Sequence, residues 1–187
     1  MDLGLSVKWA ICNVGAVSPK DYGSFMAWGE TSFKDNYYDW TTYKWCNGSE
    51  RTLTRYNTDS YYGEVDNWTT LLSTDDAASR NWNVSWRMPT DEEWTELRTK
   101  CDWTWTEHEG RNGYLVTSKT NGSSIFLPAS GYRWGSVHDM GSKGYYWSSS
   151  LYINNPPNAL DIVFDSQRVY ESHEPRYLGC SIRPVRK

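Results

Sequence analysis

Pro89-Thr90-Asp91-Glu92-Glu93-Trp94 and, after Gly113, the run Tyr114-Leu115-Val116-Thr117-Ser118, Asn121-Gly122, Ser124-Ile125-Phe126-Leu127 place a helix beside a hairpin. Thr90 is positioned to cap a helix while Glu93 reaches back to it, a Thr-x-x-Glu capping box. Trp94, Leu97 and Cys101 then fall on one helical face. Downstream, Asn-Gly between two alternating apolar runs is a strong two-strand signal. A second, weaker helix is expected around Ser73-Thr74-Asp75-Asp76-Ala77-Ala78, whose acids suit the positive end of a helix dipole. Two short helices among strands give an α+β fold.

Working outward, Val7-Lys8-Trp9-Ala10-Ile11-Cys12 and Phe25-Met26-Ala27-Trp28 read as short strands, as do Tyr145-Tyr146-Trp147-Ser148, Leu160-Asp161-Ile162-Val163-Phe164 and Cys180-Ser181-Ile182-Arg183. Residues 31–70 carry Tyr, Trp, Asn, Gly and Thr without a sustained period, which predicts a long ordered loop pinned by aromatic rings. No linker, low-complexity tract or repeat divides the 187 residues, so a single domain over 1–187 is expected. Hydrophobic residues make up only 38 %, yet 12 Trp and 14 Tyr supply large rings for an aromatic core. Aromatic residues at 16 % also argue against disorder.

A formal net charge of −4 gives no basic surface for phosphate, which excludes nucleic acid as the expected partner. No apolar run approaches the roughly 18–20 residues of a spanning helix, so direct membrane insertion is not expected. Met1-Asp2-Leu3-Gly4-Leu5-Ser6 has neither a basic n-region nor an apolar h-region. With a strand-like pattern starting almost at Met1, the expectation is a domain of a longer protein, with no signal peptide in this stretch. Cys12, Cys46, Cys101 and Cys180 form no Cys-x-x-Cys and read as free thiols, although four cysteines permit three full pairings.

Reactive motifs are missing. His108, His138 and His173 fall in no metal-ligating spacing, and neither Gly-x-Ser-x-Gly nor a phosphate-cradling Gly-x-x-x-x-Gly-Lys-Ser/Thr occurs. Asp75-Asp76 and Asp91-Glu92-Glu93 read as helix N-terminal charge. Glu174-Pro175 is followed by Arg176, and Asn155-Pro156 has no acidic residue in frame, so calcium-bridged sugar recognition has no motif behind it. No metal and no cofactor are expected.

The stretch from 132 to 178 alternates framework pieces with assorted side chains. Gly131-Tyr132-Arg133, Tyr146-Trp147-Ser148-Ser149-Ser150, Phe164-Asp165-Ser166 and Ile182-Arg183-Pro184-Val185 form the framework. Trp134, Tyr145, Tyr152 and Tyr170 are the expected aromatic anchors of a binding face. His138, Asp139, Asp161, His173 and Glu174 would orient polar groups, and Lys143, Asn155, Pro157, Asn158 and Leu178 complete the candidate set. Rigid aromatics mixed with adaptable polar groups are the composition of a recognition surface.

Asp2-Leu3-Gly4-Leu5-Ser6-Val7-Lys8-Trp9-Ala10, Cys12-Asn13-Val14-Gly15-Ala16, Ala27-Trp28-Gly29-Glu30, Trp86-Arg87-Met88-Pro89-Thr90, Leu127-Pro128-Ala129, Tyr146-Trp147-Ser148-Ser149-Ser150 and Arg183-Pro184-Val185 together resemble the fibrobacter major paralogous domain family. The resemblance spans nearly the whole chain. It implies the formylglycine-generating-enzyme-like version of the C-type lectin fold, two short helices packed on antiparallel strands with long ordered loops. It also implies an exported, extracellular or cell-surface bacterial protein, or a phage particle component.

Some such domains are variable proteins of diversity-generating retroelements, and residues 131–185 resemble their diversified segment. The function then implied is recognition of a protein or glycan ligand on a cell or phage surface through a hypervariable face. The alternative is a calcium-independent carbohydrate-binding or structural adhesin domain. An Asn codon randomised at its adenines cannot encode Trp134, Lys143, Glu171 or Glu174, which require other template codons. Formylglycine-generating enzymes use a late pair of cysteines where this chain has only Cys180, so no enzyme activity is expected.

Overall fold

The computed structural model describes residues 1–35 and 37–187. Asn36, inside the expected long loop, lies outside the described residues. Among the described residues the fold is α+β, with short antiparallel sheets and two short helices. Strand β1 (Lys8–Trp9) pairs with β10 (Val185–Arg186) and ties the two ends of the chain together. Helices α1 (Ala77–Asn81) and α2 (Asp91–Lys100) precede one three-stranded sheet of β2 (Cys101–His108), β3 (Arg111–Ser118) and β4 (Ser124–Pro128). A hairpin of β5 (Tyr132–Trp134) and β6 (Ser136–His138) leads into a second three-stranded sheet, β7 (Gly144–Leu151), β8 (Asn158–Phe164) and β9 (Val169–Pro175).

The capping box at α2 forms as its sequence dictates. Thr90 Oγ1 accepts from the Glu93 amide at 3.3 Å, and Glu93 Oε2 accepts from the Thr90 amide at 2.9 Å. Glu93 also holds Arg87 through two bonds of 2.8 and 2.5 Å, joining the helix start to the strand-like segment before it. We expect Thr90→Ala to cost about 1 kcal/mol, the usual value of an N-cap, read as a lower urea midpoint at constant m. An unchanged midpoint would show that Glu93 and Arg87 hold the helix start without the cap.

Strand β7 explains why the core is aromatic. Successive side chains on a strand point to opposite faces, so Tyr146 enters one cluster with Trp9, Trp94, Ile162 and Phe164, while Trp147 enters another with Trp28, Tyr56, Leu151 and Cys180. Both faces of the sheet are therefore covered, and most of β7 is buried rather than alternating. The rings interlock: Trp9 and Trp94 lie 4.7 Å apart, Trp94 and Tyr146 5.9 Å, and Trp28 and Tyr56 5.2 Å, in tilted or edge-on pairs. Tyr38 and Tyr43, from the long loop over 31–70, are buried and donate their hydroxyls to the carbonyls of Phe25 and Trp28 at 2.7 Å. Among its described residues that loop carries a 3₁₀ turn at Ser60–Tyr62 and isolated bridges such as Cys46 with Leu53, and buried rings pin it as expected.

Several sequence expectations need correction. The first helix begins at Ala77, later than the acids suggested, because Asp75 is taken by the Tyr56 hydroxyl and Arg55, leaving Asp76 to cap the Ser79 amide at 2.9 Å. Cys101 opens β2 instead of ending the helix face, and β2, β5, β6 and β9 were not anticipated. The strand read over 7–12 shrinks to Lys8–Trp9. Neither 25–28 nor 180–183 is a regular strand; Met26 and Cys180 form one bridge, and Ser181 another with Tyr146. Residues 180–182 bond through their backbone to Met26, Tyr145, Trp147 and Val14 in turn, so no single partner strand runs beside them, and the buried Arg183 side chain donates to the carbonyls of Ala10, Ile11 and Phe126. The four cysteines carry free thiols, with Cys101 and Cys180 buried and Cys12 and Cys46 half-buried.

Candidate functional site

An open cleft of about 340 Å³ lies between β5, β7 and the end of β9. Tyr132 and Trp134, two residues apart on β5, present their rings to it, as strand periodicity requires. Tyr145 on β7 contributes a third ring, Glu174 and Pro175 end β9, and Tyr177 and Leu178 follow in a turn closed by the Leu178 amide on the Pro175 carbonyl at 2.9 Å. Strand β5 is clamped to that turn by reciprocal bonds between Arg133 and Gly179, 2.7 and 3.0 Å. Gly131 makes the approach of β5 possible: its φ is +71°, and a Cβ there would stand 1.9 Å from the His138 carbonyl oxygen.

The walls of the cleft grow out of the core. Tyr132, Tyr145 and Tyr177 pack against the cluster of Trp28 and Trp147, to which Leu178 itself belongs. Tyr132 and Tyr145 meet edge to face at 4.9 Å. Trp134 is the outer member, 53 % exposed. Rings fixed at one edge and open at the other lose little freedom when a ligand arrives.

Polar groups set the orientation of the rings from behind. The Tyr145 hydroxyl donates to Asp139 Oδ2 at 3.0 Å, and Lys143 Nζ lies 3.3 Å from the same oxygen. Burial first, then the bond to Asp139, pushes the Tyr145 hydroxyl far above its ordinary pKa, so its proton stays on. His138 stacks on the Tyr132 ring at 5.2 Å, and its Nε2 lies 3.2 Å from the Trp134 carbonyl and the Ser136 hydroxyl. His138, Asp139 and Lys143 thus support the cleft without lining it.

Of the expected site residues, the cleft brings together Trp134, Tyr145, Glu174 and Leu178. Tyr152, Asn158 and His173 form a separate group: Tyr152 and His173 stack at 4.0 Å within 6° of parallel, and Asn158 Nδ2 reaches His173 Nδ1 at 3.0 Å. Asn155 closes the β7–β8 turn through its amide on the Tyr152 carbonyl. Tyr170 on β9 carries the Arg168 guanidinium over its ring at 4.6 Å.

Two expectations are corrected outright. Asp161 is 1 % exposed on β8, between Trp147 and Ser172, and cannot meet a ligand at the surface. Pro157 is also buried, its carbonyl accepting from the Arg176 amide at 3.0 Å. Tyr132, Pro175 and Tyr177 were missed. Tyr132 belongs to a framework piece of the sequence, yet its place two residues before Trp134 puts both rings on one face.

The cleft offers rings, phenol hydroxyls and one carboxylate. Among the described residues no three His, Cys, Asp or Glu side chains converge as a metal-binding group. No helix among them is long and apolar enough to cross a membrane. Comparison with models of known families, with curated proteins and with solved structures finds no match for this chain.

Proposed function

We propose that this chain is a ligand-binding domain with a C-type lectin fold of the formylglycine-generating-enzyme-like kind, whose recognition face is a diversified segment over 131–185. The observation that carries the reading is the cleft itself: every residue lining it, from Tyr132 to Leu178, falls inside that segment. Beneath it the scaffold is held by fully buried Trp28, Trp147, Arg176 and Arg183, so outward-facing side chains can change without disturbing the core. The resemblance to the fibrobacter major paralogous domain family supports the same fold and an exported or surface location, as part of a longer protein.

Binding without catalysis is the reading the chemistry favours. Cys180, the lone late cysteine, is fully buried, and burial pushes its thiol well above the ordinary range, which denies it the thiolate that oxidation would need. The ligand is a protein or a glycan on a cell or phage surface. A calcium-independent sugar reading gains from the half-exposed indole of Trp134, a face on which a sugar ring can stack.

Sequencing the DNA around the native gene tests the proposal. We expect a near-copy of the segment coding 131–185 beside a reverse transcriptase gene, with mismatches at template adenines in the codons of cleft residues. Absence of such a copy, or mismatches spread evenly over the domain, would leave a fixed surface paralogue and refute diversification.

A further inference from the structure

Among the described residues Glu174 is the only carboxylate lining the cleft, and it forms no salt bridge with any of them. No Lys or Arg among them lines the cleft with it. The nearby cations are engaged elsewhere: Lys143 with Asp139, and Arg133 over the rings of Phe33 and Tyr38 at 4.9 and 5.7 Å. Burial raises the Glu174 carboxyl above its usual pKa, which reflects a charge held in a poorly solvated place with nothing opposite it.

The rings sense the same field. Burial first pushes up the hydroxyls of Tyr132, Tyr145 and Tyr177, and Glu174 adds to the rise in each. An uncharged ring presents a negative face, and a cation against such faces gains most where water is excluded. Tyr145 is enriched further, because its hydroxyl donates to a carboxylate and so draws electron density toward the ring.

We propose that the cleft binds a quaternary ammonium group, with Tyr132, Trp134, Tyr145 and Tyr177 supplying ring surface and Glu174 the counter-charge. This rests on the cleft being the ligand site of a binding domain. A quaternary centre fits better than a primary amine. A primary ammonium holds its hydration shell tightly and would have to give it up for ring faces and a single carboxylate. A tetra-alkylated nitrogen has no donor to satisfy and presents methyl groups to aromatic walls. The volume, about 340 Å³, is at the small end of ligand sites and accommodates such a head group with part of its chain outside.

Choline chloride and its neutral isostere 3,3-dimethyl-1-butanol, titrated separately into the full chain, test the assignment by NMR at the Trp134 indole N–H, identified by its loss in Trp134→Phe. Choline is expected to bind on the order of tenfold more tightly than the alcohol, and Glu174→Gln to narrow that difference several-fold. Trp134→Ala, at an exposed position where folding is secure, should weaken choline several-fold.

Equal affinity for the two probes would overturn the proposal, as would a Trp134 signal that choline does not move. If methyl glucoside moves that signal and choline does not, the cleft is a neutral sugar site, and only the cation assignment falls. The template-repeat sequencing depends on none of these titrations, so diversification and cation recognition stand or fall separately.

Discussion

Replacing Arg176 with methionine is expected to lower the stability of the domain by about 3–5 kcal/mol. The side chain is completely buried, and among the described residues it has no carboxylate partner. Its guanidinium instead donates to the Tyr43 hydroxyl at 3.0 Å and to the carbonyls of Tyr56, Pro156 and Arg55 at 2.8, 3.1 and 3.0 Å. It also lies over the rings of Trp28 and Tyr43, 5.2 and 5.3 Å from their centres. Methionine matches the stem but leaves the buried acceptors on Tyr43, Tyr56 and Pro156, and the part-buried Arg55 carbonyl, without this donor, and each buried unsatisfied group costs about 1–3 kcal/mol. Relief of the guanidinium's own desolvation offsets part of that, which keeps the total below the simple sum.

Lysine at the same position should recover only part of the loss. Its three donors radiate from one nitrogen and cannot reproduce the planar fork that reaches Tyr43, Tyr56 and Arg55 together. The consequence extends to the cleft, because Arg176 directly follows Pro175 and ties the turn carrying Tyr177 and Leu178 to the long loop. Urea unfolding at 25 °C reads the effect as a fall in midpoint at unchanged m. A methionine variant within 1 kcal/mol of the parent would show that the loop is held by its buried tyrosines, with the guanidinium incidental.

Arg176 also marks what sequence can and cannot disclose. Its neighbours Glu174 and Leu178 were legible as candidates, and they line the cleft, because they stand in a chemically mixed run between framework pieces. Arg176 itself carries no local signal, since its partners lie some 120 residues earlier in the chain. The helix at Thr90 and the hairpin at Asn121-Gly122 were legible because caps and turns are decided by residues a few positions apart.

Strand β2 was not, although Trp103 and Trp105 alternate with Asp102, Thr104 and Thr106. Placing Cys101 on the preceding helical face obscured the change from a period of 3.6 to one of two. In the site, composition identified the ring-rich segment. It could not sort Trp134, which is exposed, from Asp161, which stands opposite Trp147 across the β7–β8 pair in a sheet covered on both sides. Alternation predicts one buried face, and a strand with core on either side defeats it.

Asp161 should give a pH dependence opposite in sign to that of an ordinary salt-bridged acid. Both of its carboxyl oxygens are buried without a hydrogen-bond partner, and burial first, then Glu174 and Asp91, holds its pKa well above the usual carboxylate range. In the unfolded chain it titrates near 3.9. Below that value both states keep the proton, and Asp161 contributes no pH dependence. Between the unfolded and folded values the native state retains a proton that the unfolded state has released. Stability therefore falls as pH rises, by about 1.4 kcal/mol per pH unit, until the folded group titrates.

Asp161→Asn removes that titration at nearly constant shape. Its stability should match the parent near pH 4 and exceed it increasingly toward neutrality, with about 2–4 °C in Tm for each kcal/mol. Asp91, raised to about 6 mainly by burial, adds a slope of the same sign that ends near pH 6 in both proteins, so the difference between the two curves reports Asp161 together with its coupling to Asp91. Acids held low by hydrogen bonds, such as Asp39 and Glu171, act in the opposite sense as pH falls, and they too cancel in the difference. Parallel curves from pH 4 to 7 would mean that Asp161 titrates normally in the folded protein. They would also place a second full negative charge behind Glu174, where a neutral Asp161 leaves Glu174 as the charge that the cleft presents.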